Sequence, residues 1–120
     1  MLKSVGFLVR KENMSHKGFV EYYRDTHVPL GKQLPNLQRY TMAVPQTPVE
    51  FQYRPAGELR SQNADISLPP VDAVSELYFE NRQDLRAAFE SPAGQAVLDD
   101  EENVLKEVYY TVVEEAVEIA

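Results

Sequence analysis

The 120-residue chain has no cysteine and no tryptophan, and its five glycines are scattered at positions 6, 18, 31, 57 and 94. Without cysteine there is no disulfide, no thiolate metal site and no cysteine nucleophile. Glycines so far apart form neither GxGxxG nor GxxxxGK, so no phosphate cradle and no nucleotide cofactor is expected. The GxSxG nucleophile signature is missing too. Cations are in deficit: 12 Lys and Arg stand against 19 Asp and Glu, a net charge of −7. Nucleic acid and anionic membrane surfaces are therefore poor partners. No apolar run approaches the ~20 residues of a membrane span. The start, MLKSVGFLVRKENM, lacks the apolar run and cleavage site of a signal peptide. A soluble, cytoplasmic protein that meets small molecules or other proteins is the expectation.

What remains is a chain with 43% apolar residues, enough for one hydrophobic core over residues 1–120. Leu2 to Arg10 reads as a strand apolar on both faces, with Val5, Phe7 and Val9 against Leu2 and Leu8, and so as a central strand. Ser15 is positioned to cap a helix on which Phe19, Tyr22, Tyr23, Thr26, His27 and Leu30 recur at helical spacing. Pro29 lacks a donor and disfavours helical geometry at Val28, which predicts a kink or a handover to a second short turn. Residues 37–45 alternate as a second strand. Residues 46–70 are proline-rich and irregular, an insertion or a lid with VEFQY as a possible short strand of its own. DAVSELYF gives a third strand, Asn81 caps one helix, and Ser91-Pro92 starts another that runs towards Leu105. VYYTVVEEAVEIA gives a fourth strand.

Two βαβ-like halves in this order predict an α+β, ferredoxin-like fold with a four-stranded antiparallel sheet. Helices cover one face of such a sheet, yet the first and fourth strands are apolar on both. A homodimer with its sheets face to face, a dimeric α/β barrel, would bury the second face.

Among chemistry-bearing residues, His27 and Tyr23 lie one helical turn apart on an inward face. His27 is then either a proton-transfer base, with Tyr23 orienting it or binding a substrate oxygen, or a packed histidine bonded to a carbonyl freed at Pro29. His16 and His27 are eleven residues apart, about 16 Å along a helix axis, so one ion cannot join them. His16 is expected in an exposed first turn, and no metal is expected. Glu76, a carboxylate within an apolar strand, is either paired with Arg39 or Arg10 or held in a pocket of water, or else acts as a second acid or base or as the group that orients His27. The acidic run DDEEN at 99–103 reads as solvated.

Three stretches, MSHKGFVEYYRDTHVPL, LPNLQRYTM and VDAVSELYFENRQDLRAAFESP, resemble in order and spacing the EthD family of dimeric α/β-barrel proteins. That family carries a His-x-Pro helix, a Leu-Pro-Gly-Leu-x-x-Tyr lead-in to the second strand and a Glu-Leu-aromatic third strand. The resemblance implies a homodimer with a pocket between helices and sheet in each subunit. It also implies cofactor-free proton-transfer chemistry on a small carbonyl or lactone substrate, by isomerisation, decarboxylation or dehydration. An isomerase or lyase is thus implied, with a non-catalytic ligand-binding barrel and a cofactor-free monooxygenase as alternatives. Carried over position by position, His27 and Tyr40 are the catalytic candidates. Glu76 and Tyr78 join Tyr23 as substrate-binding candidates. Asn36 stands where the family has glycine, which requires a left-handed turn that Asn tolerates.

Overall fold

The computed structural model describes residues 1–51, 53–59 and 69–114. Strand β1 (Leu2–Arg10) is followed by helix α1 (His16–Tyr22), a π-helical turn (Tyr23–His27) and the short helix α2 (Val28–Gly31). Then come β2 (Arg39–Ala43), β3 (Ala73–Phe79), α3 (Arg82–Glu90), α4 (Pro92–Val104) and β4 (Leu105–Val113). The strands form one antiparallel sheet in the order β2-β3-β1-β4, so β1 is central as its two apolar faces predict. This is the α+β, ferredoxin-like arrangement.

Local chemistry sets the helix starts. The side chains of Ser15, Asn81 and Ser91 accept hydrogen bonds from the amides of Gly18, Asp84 and Gly94, supplying partners to donors that a first turn leaves open. Gly94 has a second duty, because a Cβ there would lie 2.4 Å from the Ala88 carbonyl oxygen. Only glycine lets α4 start so close to the end of α3. Asn36 adopts φ 63°, the left-handed conformation its position requires. The fourth strand begins three residues before the predicted Val108, and β2 is confined to Arg39–Ala43. The predicted remainder of the last strand, 115–120, lies outside the described residues, as do positions 52 and 60–68 of the insertion.

Pleating divides the sheet cleanly. Leu2, Ser4, Gly6 and Leu8 of β1 share a face with Ser75 and Leu77 of β3 and with Val108, Tyr110 and Val112 of β4. Over that face pack the helices, in two clusters: Leu8, Phe19, Tyr23, Ala73, Val104 and Leu105 at one end, Leu2, Leu34, Phe79, Ala88 and Val97 at the other. On the opposite face stand Lys3, Val5, Phe7, Glu76, Tyr78, Tyr109 and Val113. Part of that second face is covered from within the chain. Val49 pairs with Val71, and the Phe51 ring tilts against Phe7 at a centroid distance of 5.7 Å.

Candidate functional site

The first helix changes pitch where the site begins. The Val28 amide donates to the Tyr23 carbonyl, five residues back, and Pro29 follows at the start of α2. Proline brings no N–H and its ring presses on the carbonyl four residues earlier, so a widened turn followed by a fresh helix accommodates it. Pro29 therefore produces the predicted handover. The wide turn keeps Phe19, Tyr23 and His27 in one stack, with centroid distances of 5.4 Å and 4.5 Å between successive rings.

His27 is almost wholly buried, and its partner is not a freed carbonyl but a carboxylate. Nδ1 lies 2.8 Å from Oδ2 of Asp100 on α4. Asp100 also accepts from the Tyr22 hydroxyl at 2.6 Å and from the Asn103 side-chain amide at 3.1 Å. Burial works to raise the Asp100 carboxyl, but the hydrogen bonds from Tyr22, Asn103 and His27 outweigh it and hold the group below the ordinary aspartate range. An ionised Asp100 can accept the Nδ1–H of the imidazole, which is the tautomer in which Nε2 carries the lone pair. Nε2 has no hydrogen bond to another described residue, and among the described residues no fully buried side-chain nitrogen or oxygen lacks a partner. The His27 ring borders open space.

That space is a cavity of about 400 Å³ between the helices and the sheet, lined by His27 and chiefly by apolar side chains such as Leu34, Leu77, Leu85, Phe89 and Val97. Its volume suits a small organic ligand. Three polar side chains reach it near His27: Tyr23, Tyr40 and Ser75. Burial drives the Tyr23 phenol far above its ordinary range, with Tyr40 and Glu101 adding to the rise. Burial raises the Tyr40 phenol as well, so both stay protonated donors. Gly31 makes room for one of them, because a Cβ there would sit 2.7 Å from Cε2 of Tyr40. Ser4, Arg86, Tyr110 and Glu101 of α4 line it too, and burial raises the Glu101 carboxyl.

The structure thus brings His27, Tyr40 and Tyr23 to one cavity, while Glu76 and Tyr78 do not line it. Those two alternate with Ser75 and Leu77 along β3 and so point to the opposite face. There Glu76 accepts from Lys3 Nζ at 2.9 Å and from the Tyr78 hydroxyl at 3.0 Å, a pairing with Lys3 rather than with Arg39 or Arg10. His16 is not exposed either. It holds Asp72 Oδ1 through Nδ1 and the Pro45 carbonyl through Nε2, each at 2.8 Å. The segment DDEEN, expected to be solvated, supplies both Asp100 and Glu101 to the site. A helical signal was available for them: Val97, Asp100, Glu101 and Val104 follow the i, i+3, i+4, i+7 spacing of one helix face. Among the described residues no group of three or more His, Cys, Asp or Glu could hold a metal ion. No helix among them is long and apolar enough to cross a membrane.

Comparison with known proteins places this geometry in context. A family model described as the EthD domain matches residues 11–106. An uncharacterised 11.0 kDa protein from the thcB–thcC intergenic region of Rhodococcus erythropolis is 33% identical over 85 residues, 71% of this chain and 67% of that one. The crystal structure of an EthD-family protein from Bacillus halodurans superposes with a TM-score of 0.69 at 21% identity, covering 97% of this chain and 99% of its own. A protein of unknown function from Thermobifida fusca, described as dimeric and ferredoxin-like, superposes with a TM-score of 0.63 at 13% identity over 95% of this chain and 90% of its own.

Proposed function

Because this chain belongs to the EthD family, we propose that it is a cofactor-independent enzyme that moves protons on a small carbonyl or lactone substrate, with His27 as the base. The observation that carries this reading is Nε2 of a carboxylate-held histidine bordering an apolar cavity. The Nε2 lone pair would take a proton from the carbon beside the substrate carbonyl. The C–H electron pair then moves into an enolate, whose oxygen accepts from the Tyr40 or Tyr23 hydroxyl. Asp100 fixes the tautomer and stabilises the imidazolium that forms, as the carboxylate does in other histidine-based sites. Isomerisation, decarboxylation and dehydration share such an enolate.

The protein would work in the cytoplasm as a homodimer. Tyr109 and Val113, each 38% exposed on the open sheet face, are surface a second copy would bury. In each subunit the cavity lies on the other side of its sheet from that surface.

Deuterium exchange tests the chemistry before the natural substrate is known. Small enol lactones and 1,3-diketones incubated with the protein in D₂O should exchange the proton beside the carbonyl, and His27→Ala should lower that rate ~10²- to 10⁴-fold. Exchange that survives His27→Ala within about threefold would end the reading. Oxygen uptake on electron-rich phenols without exchange would point to an oxygenase. Ligand-induced rise in Tm with neither reaction would point to a binding protein.

A further inference from the structure

Glu101 is not used by this chemistry, yet it lines the same cavity. Asp100, its neighbour on α4, turns to His27, while Glu101 shares the cavity-facing side of the helix with Val97 and Leu98. Its carboxyl makes no hydrogen bond or ion pair among the described residues, although it is only partly exposed. Among the described residues no fully buried side-chain oxygen lacks a partner, and Glu101 lines the cavity. Facing the cavity around it are the Tyr23 and Tyr40 phenols, the His27 imidazole from the π-turn and Arg86 from α3. A partly buried carboxylate without a partner costs the folded state free energy, so a stabilising role does not account for it.

We propose that Glu101 is the proton donor opposite His27, and that the substrate is a β,γ-unsaturated carbonyl compound or enol lactone undergoing a 1,3-proton shift. This rests on His27 acting as the base. Nε2 removes a proton from the α-carbon, and the C–H pair enters a dienolate whose oxygen is held by a tyrosine hydroxyl. The Glu101 O–H bond then breaks as its proton forms a new C–H bond at the γ-carbon, and the electrons return to restore the carbonyl with the double bond moved into conjugation. The Glu101 carboxylate recovers a proton from the imidazolium, directly or through solvent, which resets both groups. No oxidant, reductant or cofactor enters the balance. Burial, which raises the carboxyl, favours the protonated form that such a donor needs. Both groups sit in one apolar chamber of about 400 Å³, which limits the substrate to a small molecule.

The probe is α-angelica lactone, whose conversion to the conjugated β-isomer takes a proton from C3 and adds one at C5. Followed by NMR in D₂O, the wild-type protein should exchange C3 and form product that carries deuterium at C5. Glu101→Gln should keep C3 exchange within about threefold while product formation falls about a hundredfold, and Glu101→Asp, which keeps an acid, should recover part of it. The Tm of Glu101→Gln should be unchanged or higher, since the amide removes a partly buried ionisable group. Product formation by Glu101→Gln within about threefold of wild type would overturn the proposal, as would wild-type exchange without isomerisation, and both leave His27 standing. So would a Glu101→Gln protein that melts well below wild type, because Glu101 would then be structural. Failure of the wild type to exchange C3 would remove the His27 reading and this one with it.

Discussion

The two histidines form the same first contact and differ in the second. Each places Nδ1 2.8 Å from an aspartate oxygen distant in sequence, His16 on Asp72 and His27 on Asp100. For His16 the other nitrogen also meets an acceptor, the Pro45 carbonyl, so both ring nitrogens are engaged by the protein. Its ring is a tie that joins α1 to the chain on either side of the insertion. For His27 the second nitrogen has no hydrogen bond to another described residue, and the ring lines the cavity. A carboxylate behind a histidine is therefore not what marks a base; an open second nitrogen is.

The largest effects should separate the two rings. His27→Ala is expected to lower turnover ~10²- to 10⁴-fold, whereas His16→Ala should leave kcat within about threefold and lower Tm instead. Equal losses of activity with equal losses of Tm would mean that the two sites do the same structural job. The aspartates extend the contrast. Asp72 is fully buried and also accepts from the Arg10 amide at 2.9 Å and its guanidinium at 3.0 Å. Asp72→Ala leaves those donors without their acceptor and should cost about 3 kcal/mol in urea unfolding. Asp100→Asn, in contrast, should cut kcat about a hundredfold by freeing the imidazole to take the wrong tautomer. A smaller effect tests the positioning of Tyr40. Gly31→Ala puts a Cβ 2.7 Å from Cε2 of the ring, and the displaced hydroxyl should lower kcat about tenfold with Asp100 and His27 intact. Wild-type kinetics in Gly31→Ala would remove Tyr40 from the oxyanion-binding role.

Local patterns told the fold well and the site unevenly. Caps at Ser15, Asn81 and Ser91, the two-faced β1 and the left-handed Asn36 are consequences of a few neighbouring residues. Helical spacing likewise turned Tyr23 and His27 inward. Which face of a strand meets the helices is a tertiary matter, however, and β3 is half apolar on both sides. Its burial of Ala73 and Phe79 sends Ser75 and Leu77 to the cavity and puts Glu76 and Tyr78 behind it. DDEEN misled for another reason. A run of acids looks solvated when read linearly, but a helix separates successive residues by about 100°. Asp99 and Glu102 then face water while Asp100 and Glu101 reach His27's side of the molecule. Val49 and Phe51 of the insertion pack over the open face of the sheet, and no described residue of the insertion lines the cavity.

The smallest predicted effect concerns those two α4 carboxyls, which should respond to acid with opposite signs. Asp100 is held below its ordinary value of 3.8 in the folded protein, so the unfolded chain takes up its proton first on acidification. Its stabilising contribution is whole above about pH 3.8 and fades as pH falls through the lower folded value. Glu101 is raised above 4.5 by burial, so the folded protein takes up its proton first. Its ionisation destabilises the fold above that raised value, and the penalty disappears as pH falls towards 4.5. In urea titrations across this range, Asp100→Asn should flatten the loss of stability on the acid side of pH 3.8. Glu101→Gln should instead raise stability at neutral pH and narrow its advantage as pH drops. Exposed carboxylates such as Glu12, paired with Lys106, titrate in the same window, but they are present in every variant and cancel in the differences. Two curves that diverge from wild type in the same direction would mean that these adjacent carboxyls share one environment. One could not then serve as the ionised support of His27 while the other carries a proton.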